Sequence, residues 1–312
     1  MRVVYMGTPD FAVPSLEALI LQSRHEVVGV VTSPDRPKGR GLKVVSPPIK
    51  QVALEYGLPL WQPERMRDSD FVEALRVLNP DLFLVVAFRI LPDEILKIPT
   101  FGAVNLHPSL LPKYRGAAPI QWAVMNGEKE TGVTTFLIER KMDAGHIICQ
   151  DVVTIGHEET GGDLYERLSR IGAALVLRTV DLIENGDICP EPQKGVITMA
   201  PKISKEDGRI DWSHSASVIH NKIRGLNPFP MAFTTWREKI LRVISSQPLL
   251  QEEESGLAPG SIIVADKQSG ITVQTGGGGL KLVVVQPEGR KPIEAVDFLR
   301  GYRPSVGDRF GI

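Results

Sequence analysis

Two rhythms of apolar residues run along this chain. Through the first 188 positions, short aliphatic runs alternate with stretches of helical spacing. Arg2 to Met6 and Val27 to Thr32 read as strands. The unbroken run Asp81-Leu-Phe-Leu-Val-Val-Ala87 predicts a strand buried on both faces. Ala103 to His107 and Gly132 to Ile138 are further short strands. Between them lie helical patterns: Phe11 to Leu21, a segment capped by Ser46 with Pro47 at its first position, Asp68 to Leu78, and a long one from Thr160 to Asn185 that ends at Gly186. Strands alternating with helices predict an α/β fold with a doubly wound, mostly parallel sheet.

The texture changes after Gly186. Cys189 to Gly195 is polar and rich in proline, which suits a linker. A helix follows Ser213 and runs to Gly225. The rest reads as short strands: Ala232 to Trp236, Ile240 to Ser245, Ser261 to Ala265, Ile271 to Thr275 and Leu280 to Gln286, then a helix from Ile293 to Arg300. Five short strands with turn signals between them predict a small antiparallel barrel of OB type. The expected domains are residues 1–188, a linker over 189–208, and the barrel over 209–312.

A length of 312 residues allows two domains at roughly 150 residues each. The net charge of −1 excludes a globally polycationic nucleic-acid binder but hides an asymmetry. Residues 1–208 sum to −4 and residues 209–312 to +3. Two cysteines, Cys149 and Cys189, make neither a disulfide framework nor a zinc ribbon, and fit a reducing compartment. The longest apolar run falls far short of the ~20 residues that span a bilayer. A soluble, cytoplasmic protein is expected.

In an open α/β sheet the ligand crevice lies beyond the carboxyl ends of the strands. The richest strand end is Asn105-Leu-His-Pro-Ser-Leu-Leu-Pro112. Asn105 and His107 are two apart, so a strand points them to one face and turns Leu106 to the other. The amide can donate to a developing oxyanion, and the imidazole can move a proton near neutral pH. Asp143, in Lys141-Met-Asp-Ala-Gly145, is the candidate to orient that imidazole and raise its pKa. With no serine or cysteine partner, the set favours direct attack by an external nucleophile on a carbonyl. Gly7-Thr-Pro-Asp10 lacks the later glycines of G-x-G-x-x-G, so no dinucleotide cradle is expected there.

At these residues the chain resembles the methionyl-tRNA formyltransferases, the tRNA-modifying branch of the folate-dependent formyltransferases. The matching stretches are Met6-Gly-Thr-Pro-Asp-Phe-Ala12, Asn105 through Pro119, Thr131-Gly-Val-Thr-Thr135, Met142-Asp-Ala-Gly145, Asp211-Trp-Ser213 and Arg224-Gly-Leu-Asn-Pro-Phe-Pro230. The resemblance implies a Rossmann-like catalytic domain and a C-terminal OB-like β-barrel that binds tRNA. It implies 10-formyltetrahydrofolate as donor, the α-amino group of methionyl initiator tRNA as acceptor, and no metal. Asn105 would bind the oxyanion of a tetrahedral intermediate and His107 would transfer protons. Asp143 would hold and charge-stabilise His107 and help deprotonate the amine. Ser109, Leu110, Leu111 and Pro112 would border the folate. Where many relatives read Leu-Asp-Thr-Gly-Asp, this chain has Met142-Asp-Ala-Gly-His146, which puts the surroundings of Asp143 in question.

Ser33 to Lys50 carries Arg36, Lys38, Arg40, Lys43 and Lys50 against one acid, Asp35. Five cations in a Gly- and Pro-rich loop can meet phosphates, but read alone the loop is more readily a solvated charge run. The resemblance makes Arg36, Lys38, Arg40 and Lys43 tRNA-binding candidates, with Arg40 in the tightest contact. A monomer is expected. Three rivals stay open: a formyltransferase with an amino-sugar or purine-precursor acceptor, a hydrolase using water, and a non-catalytic binding protein.

Overall fold

The computed structural model describes residues 1–38, 43–249 and 256–311. It divides into two compact units. The first comprises residues 1–119, 130–154 and 165–200, and the second 120–129, 155–164 and 201–312. The chain therefore passes between them more than once.

The chain opens with β1 (Arg2–Gly7), α1 (Val13–Gln22) and β2 (Glu26–Val31). A small hairpin, β3 (Arg36–Lys38) and β4 (Lys43–Val45), precedes α2 (Pro48–Glu55) and β5 (Leu60–Trp61). Next come α3 (Ser69–Val77), β6 (Leu82–Val86), α4 (Asp93–Leu96), β7 (Ala103–His107) and β8 (Arg115–Gly116). They are followed by α5 (Pro119–Met125), β9 (Glu130–Leu137), β10 (Ile147–Thr154), α6 (Gly161–Asn185) and β11 (Met199–Ala200).

The main sheet has the order β10-β9-β7-β6-β1-β2-β5. Five neighbouring strands, β7 through β5, run parallel, while β9 is antiparallel to β7 and β10 to β9. The expected mostly parallel α/β sheet is present. Every residue of β6 is buried, because β1 and β7 flank it and side chains cover both faces. Val4, Met6, Phe71, Leu75, Phe83, Val85 and Ile95 form one core cluster against it. Asp68 caps α3 as its sequence predicts: one carboxylate oxygen accepts the amides of Asp70 and Phe71 at 3.1 and 3.3 Å. The helix expected from Phe11 starts later. Asp10–Ala12 form a 3-10 turn, and α1 begins at Val13, with Pro14 in a first turn where no amide is needed.

In the second unit α7 (Ala216–Gly225) is followed by β12 (Ala232–Trp236), β13 (Lys239–Leu249), β14 (Ile262–Asp266), β15 (Gly270–Gln274), β16 (Gly279–Pro287), β17 (Ile293–Glu294) and α8 (Ala295–Tyr302). The sheet order is β12-β13-β16-β15-β14, all antiparallel, with β17 on β16. In β12 the buried positions alternate: Ala232, Thr234 and Trp236 turn to the core that holds Trp212, Phe298 and Phe310. The final helix starts two residues later than Ile293, because Ile293 and Glu294 pair with Val285 and Val284.

Candidate active site

Strand order turns at β1, with β2 on one side and β6 on the other. The rule for such sheets puts the ligand crevice beyond the carboxyl ends of β1 and β6, and β7 is the strand next to β6. β7 brings Asn105 opposite Val85 and Phe136, and His107 opposite Thr134. Leu106 turns the other way: a side chain at Gly172 of α6 would meet its methyl groups. Asn105 and His107 thus share the face away from α6, as their spacing predicts. Asn105 is half-buried, and its carboxamide has no hydrogen bond among the described residues.

His107 is only 4% exposed. Its Nε2 lies 2.9 Å from the carbonyl oxygen of Tyr114. A carbonyl only accepts, so Nε2 carries the hydrogen, and Nδ1 is the nitrogen left to exchange protons. Burial is the largest influence on the ring and pulls its pKa below the ordinary histidine value. The charge of Asp143 and the bond to Tyr114 act upward, and Arg115 acts downward. The rise expected from a neighbouring carboxylate is thus present but outweighed, and the ring is neutral at neutral pH. Tyr114, whose carbonyl orients the ring, was invisible in the sequence because it acts through its backbone.

Asp143 sits in the turn between β9 and β10 with φ at 49°, a left-handed conformation. Its Oδ2 accepts the amide of Gly116 at 2.9 Å. Gly145 closes the turn, where a Cβ would overlap the carbonyl of Leu137. His146, one of the two divergent positions next to it, points elsewhere. His146 Nδ1 lies 2.8 Å from Glu139 Oε1, so that imidazole faces a carboxylate across the turn.

The segment from Ser109 to Pro112 is braced from within. Ser109 Oγ donates to the carbonyl of Lys113 at 2.6 Å, and Ser109, Leu111 and Pro112 are buried. Thr134 Oγ1 donates to Ser109 O at 2.6 Å and accepts the Leu111 amide at 3.3 Å. Gln150 Nε2 donates to Leu111 O and to Thr134 Oγ1, at 3.0 and 2.9 Å. Leu110 alone of the four is half-exposed. Thr134 lies within one of the stretches that carried the family resemblance. Gln150 had no signal beyond its place on a strand.

Two of the five loop cations are already engaged. Arg36 pairs with Glu64 at 2.6 Å, and Lys50 with Asp35 at 2.7 Å. Asp35 also accepts from Gln62 Nε2 at 2.8 Å and from Ser46 Oγ at 3.2 Å, which holds its carboxyl below the usual range. Asp35 therefore anchors the base of the β3–β4 hairpin and is no mere counter-charge. Lys38 and Lys43 occupy opposite positions in its register. Arg40 lies outside the described residues.

Comparison with known proteins bears on this geometry. Residues 1–180 match the formyl transferase family, and residues 202–303 match the formyl transferase C-terminal domain. The chain belongs to the formyl transferase family. The methionyl-tRNA formyltransferase of Thermodesulfovibrio yellowstonii is 47% identical over 98% of this chain and 97% of its own length. That of Pelotomaculum thermopropionicum is 46% identical over 96% of each chain. Among solved structures, HypX from Aquifex aeolicus in complex with tetrahydrofolic acid shares the fold, with a TM-score of 0.64 and 20% identity. The match covers 99% of this chain and 48% of HypX. The methionyl-tRNA formyltransferase from Clostridium thermocellum has a TM-score of 0.55 at 18% identity, over 81% of this chain and 95% of that one. No helix among the described residues is long and apolar enough to cross a membrane.

Proposed function

We propose that this formyl transferase moves the formyl group of 10-formyltetrahydrofolate to the α-amino group of methionyl initiator tRNA. The observation that carries the reading is the shared face of Asn105 and His107 at the end of β7, with the Asp143 turn fastened beside them through Gly116. Near-full-length identity to two methionyl-tRNA formyltransferases favours tRNA over the other acceptors.

The free amine attacks the formyl carbon and a C–N bond forms. Asn105 donates to the oxyanion of the tetrahedral intermediate, in a half-buried site where such a bond is stronger than in water. Nδ1 of neutral His107 takes a proton from the attacking nitrogen, and the charge of Asp143 steadies the imidazolium that results. The proton then passes to N10 of the folate as the C–N10 bond breaks. The net exchange is a formyl group for a proton. The half-exposed Leu110 and the braced main chain beside it suit the apolar flank of a pterin. The β3–β4 hairpin supplies cations to the tRNA from Lys38, Lys43, Arg40 and, once released from Glu64, Arg36. The reading places the protein in the cytoplasm, where its charged tRNA is, acting as a monomer.

The deciding experiment incubates the protein with 10-formyltetrahydrofolate labelled in the formyl group and charged initiator tRNA. The label is expected on the methionyl moiety. Label released as formate would make the protein a hydrolase, and no transfer at all would overturn the reading.

A further inference from the structure

Residues 191–200 read from sequence as part of a linker, yet they grip both sides of the Asp143 turn. Glu191 exchanges two backbone hydrogen bonds with Ile147, at 2.8 and 2.9 Å. Thr198 accepts the Tyr114 amide on its hydroxyl at 2.8 Å and the Arg115 amide on its carbonyl at 2.9 Å. Met199 and Ala200 pair with Arg115 and Gly116 as parallel strands. Gly116 in turn supplies the amide that binds the Asp143 carboxylate.

Gln193 stands at the centre of this strap. Its Oε1 accepts from Nε and Nη2 of the buried Arg115 guanidinium, at 3.1 and 2.6 Å. Its Nε2 donates to the carbonyls of Asp143 and Gly145, each at 2.9 Å. The oxygen meets only donors and the nitrogen only acceptors, so the amide has one possible orientation and its hydrogen-bonding capacity is filled.

We propose that Gln193 is a positioning residue for the transfer reaction: it locks the Asp143 turn onto the Arg115–Gly116 strand and so fixes the carboxylate relative to His107. The proposal rests on the roles assigned above to Asp143 and His107. Its physical ground is the backbone of Asp143. A left-handed aspartate is disfavoured and persists only where its surroundings over-determine it. Gln193 holds that residue's own carbonyl, and Gly116 holds its side chain. The charged groups that act on His107, Asp143 and Arg115, are the two that Gln193 joins.

The test compares Gln193→Ala, Gln193→Glu and Asp143→Asn with the wild type in the full-length protein. Gln193→Glu keeps an acceptor for Arg115 and loses both donors to the turn, so it carries the test if the alanine variant fails to fold. Either variant is expected to lower kcat by roughly 10–100-fold, the scale of a misplacement near 1 Å. KM for both substrates should stay within about threefold, because neither binding surface is altered. Amide exchange at Gly116 should quicken by about tenfold, with the β7 amides unchanged, because its carboxylate acceptor is no longer held. Wild-type kcat, or unchanged protection of Gly116, would overturn the role of Gln193. Wild-type kcat in Asp143→Asn would overturn the reading of Asp143 itself, a result the Gln193 variants cannot mimic.

Discussion

Nε2 of His107 donates to the carbonyl oxygen of Tyr114 across 2.9 Å. That single contact fixes the tautomer of a buried ring and leaves Nδ1 as its only basic atom. Glutamine can place an N–H where the imidazole Nε2 stands, but it has no basic nitrogen. His107→Gln should therefore keep the Tyr114 contact and the melting temperature, within about two degrees. Its kcat should fall by about 10²–10⁴-fold, the usual worth of a general base. Single-turnover rates with saturating substrates and a thermal melt check both halves. A variant that melts near the wild type with near-normal turnover would remove His107 from proton transfer.

Burial also makes His107 a pH-dependent cost to folding. Its folded-state pKa lies below the value near 6.5 that the unfolded chain offers. Between those two values the unfolded state binds more protons, so stability falls as pH drops through 6.5 toward the folded value. Below the folded value the loss is complete. Urea midpoints at pH 7.5, 6 and 5 should show the wild type losing more stability than His107→Gln over that range. Parallel losses in the two proteins would mean that the ring is not held neutral.

The face shared by Asn105 and His107 was legible because a strand has period two and Pro108 ends it. Three features were not. The downward pull on His107 depends on how many atoms pack round the ring, which no local pattern states. The hold on Asp143 comes from Gly116 and Gln193, 27 and 50 residues away, through an amide proton and two main-chain carbonyls that carry no side-chain signature. The hairpin's free charge was overstated because Glu64 lies 28 residues beyond Arg36 and becomes its partner only when β5 joins β2. The sheet itself was plain from alternating strand and helix patterns, since burial on both faces demands unbroken runs such as Leu82–Val86.

Thr134 braces the segment proposed to border the folate. Its hydroxyl serves Ser109 O, the Leu111 amide and Gln150 Nε2 at once. Thr134→Val keeps the volume, takes the hydroxyl partner from Ser109 O and the Leu111 amide, and leaves Gln150 Nε2 only its bond to Leu111 O. The loss should be about 1–3 kcal/mol of stability, the cost of buried groups left unpaired. KM for the folate donor should rise severalfold while KM for the tRNA stays put. Denaturant midpoints and two-substrate kinetics test this, and an unchanged folate KM would detach the segment from the donor site.

The ion pair between Arg36 and Glu64 sets how much charge the hairpin can offer to a polyanion. Both side chains are 66% exposed, so the pair adds little to stability and can be exchanged for a phosphate contact. Each phosphate neutralised releases counterions and steepens the fall of affinity with salt, by about 0.7–0.9 in the slope of log affinity against log salt. On the proposed reading, tRNA and Glu64 compete for Arg36 in the wild type. Glu64→Gln removes the competitor, so affinity for methionyl-tRNA should rise at low salt, and the slope should steepen by up to about one such contact. Arg36→Ala should flatten it by the part of that one contact the wild type already makes, so the two shifts sum to about one contact, and should also erase the effect of Glu64→Gln when the two are combined. Binding measured between 50 and 200 mM salt reads all four proteins on one scale. Four coincident slopes would place the tRNA away from this hairpin strand.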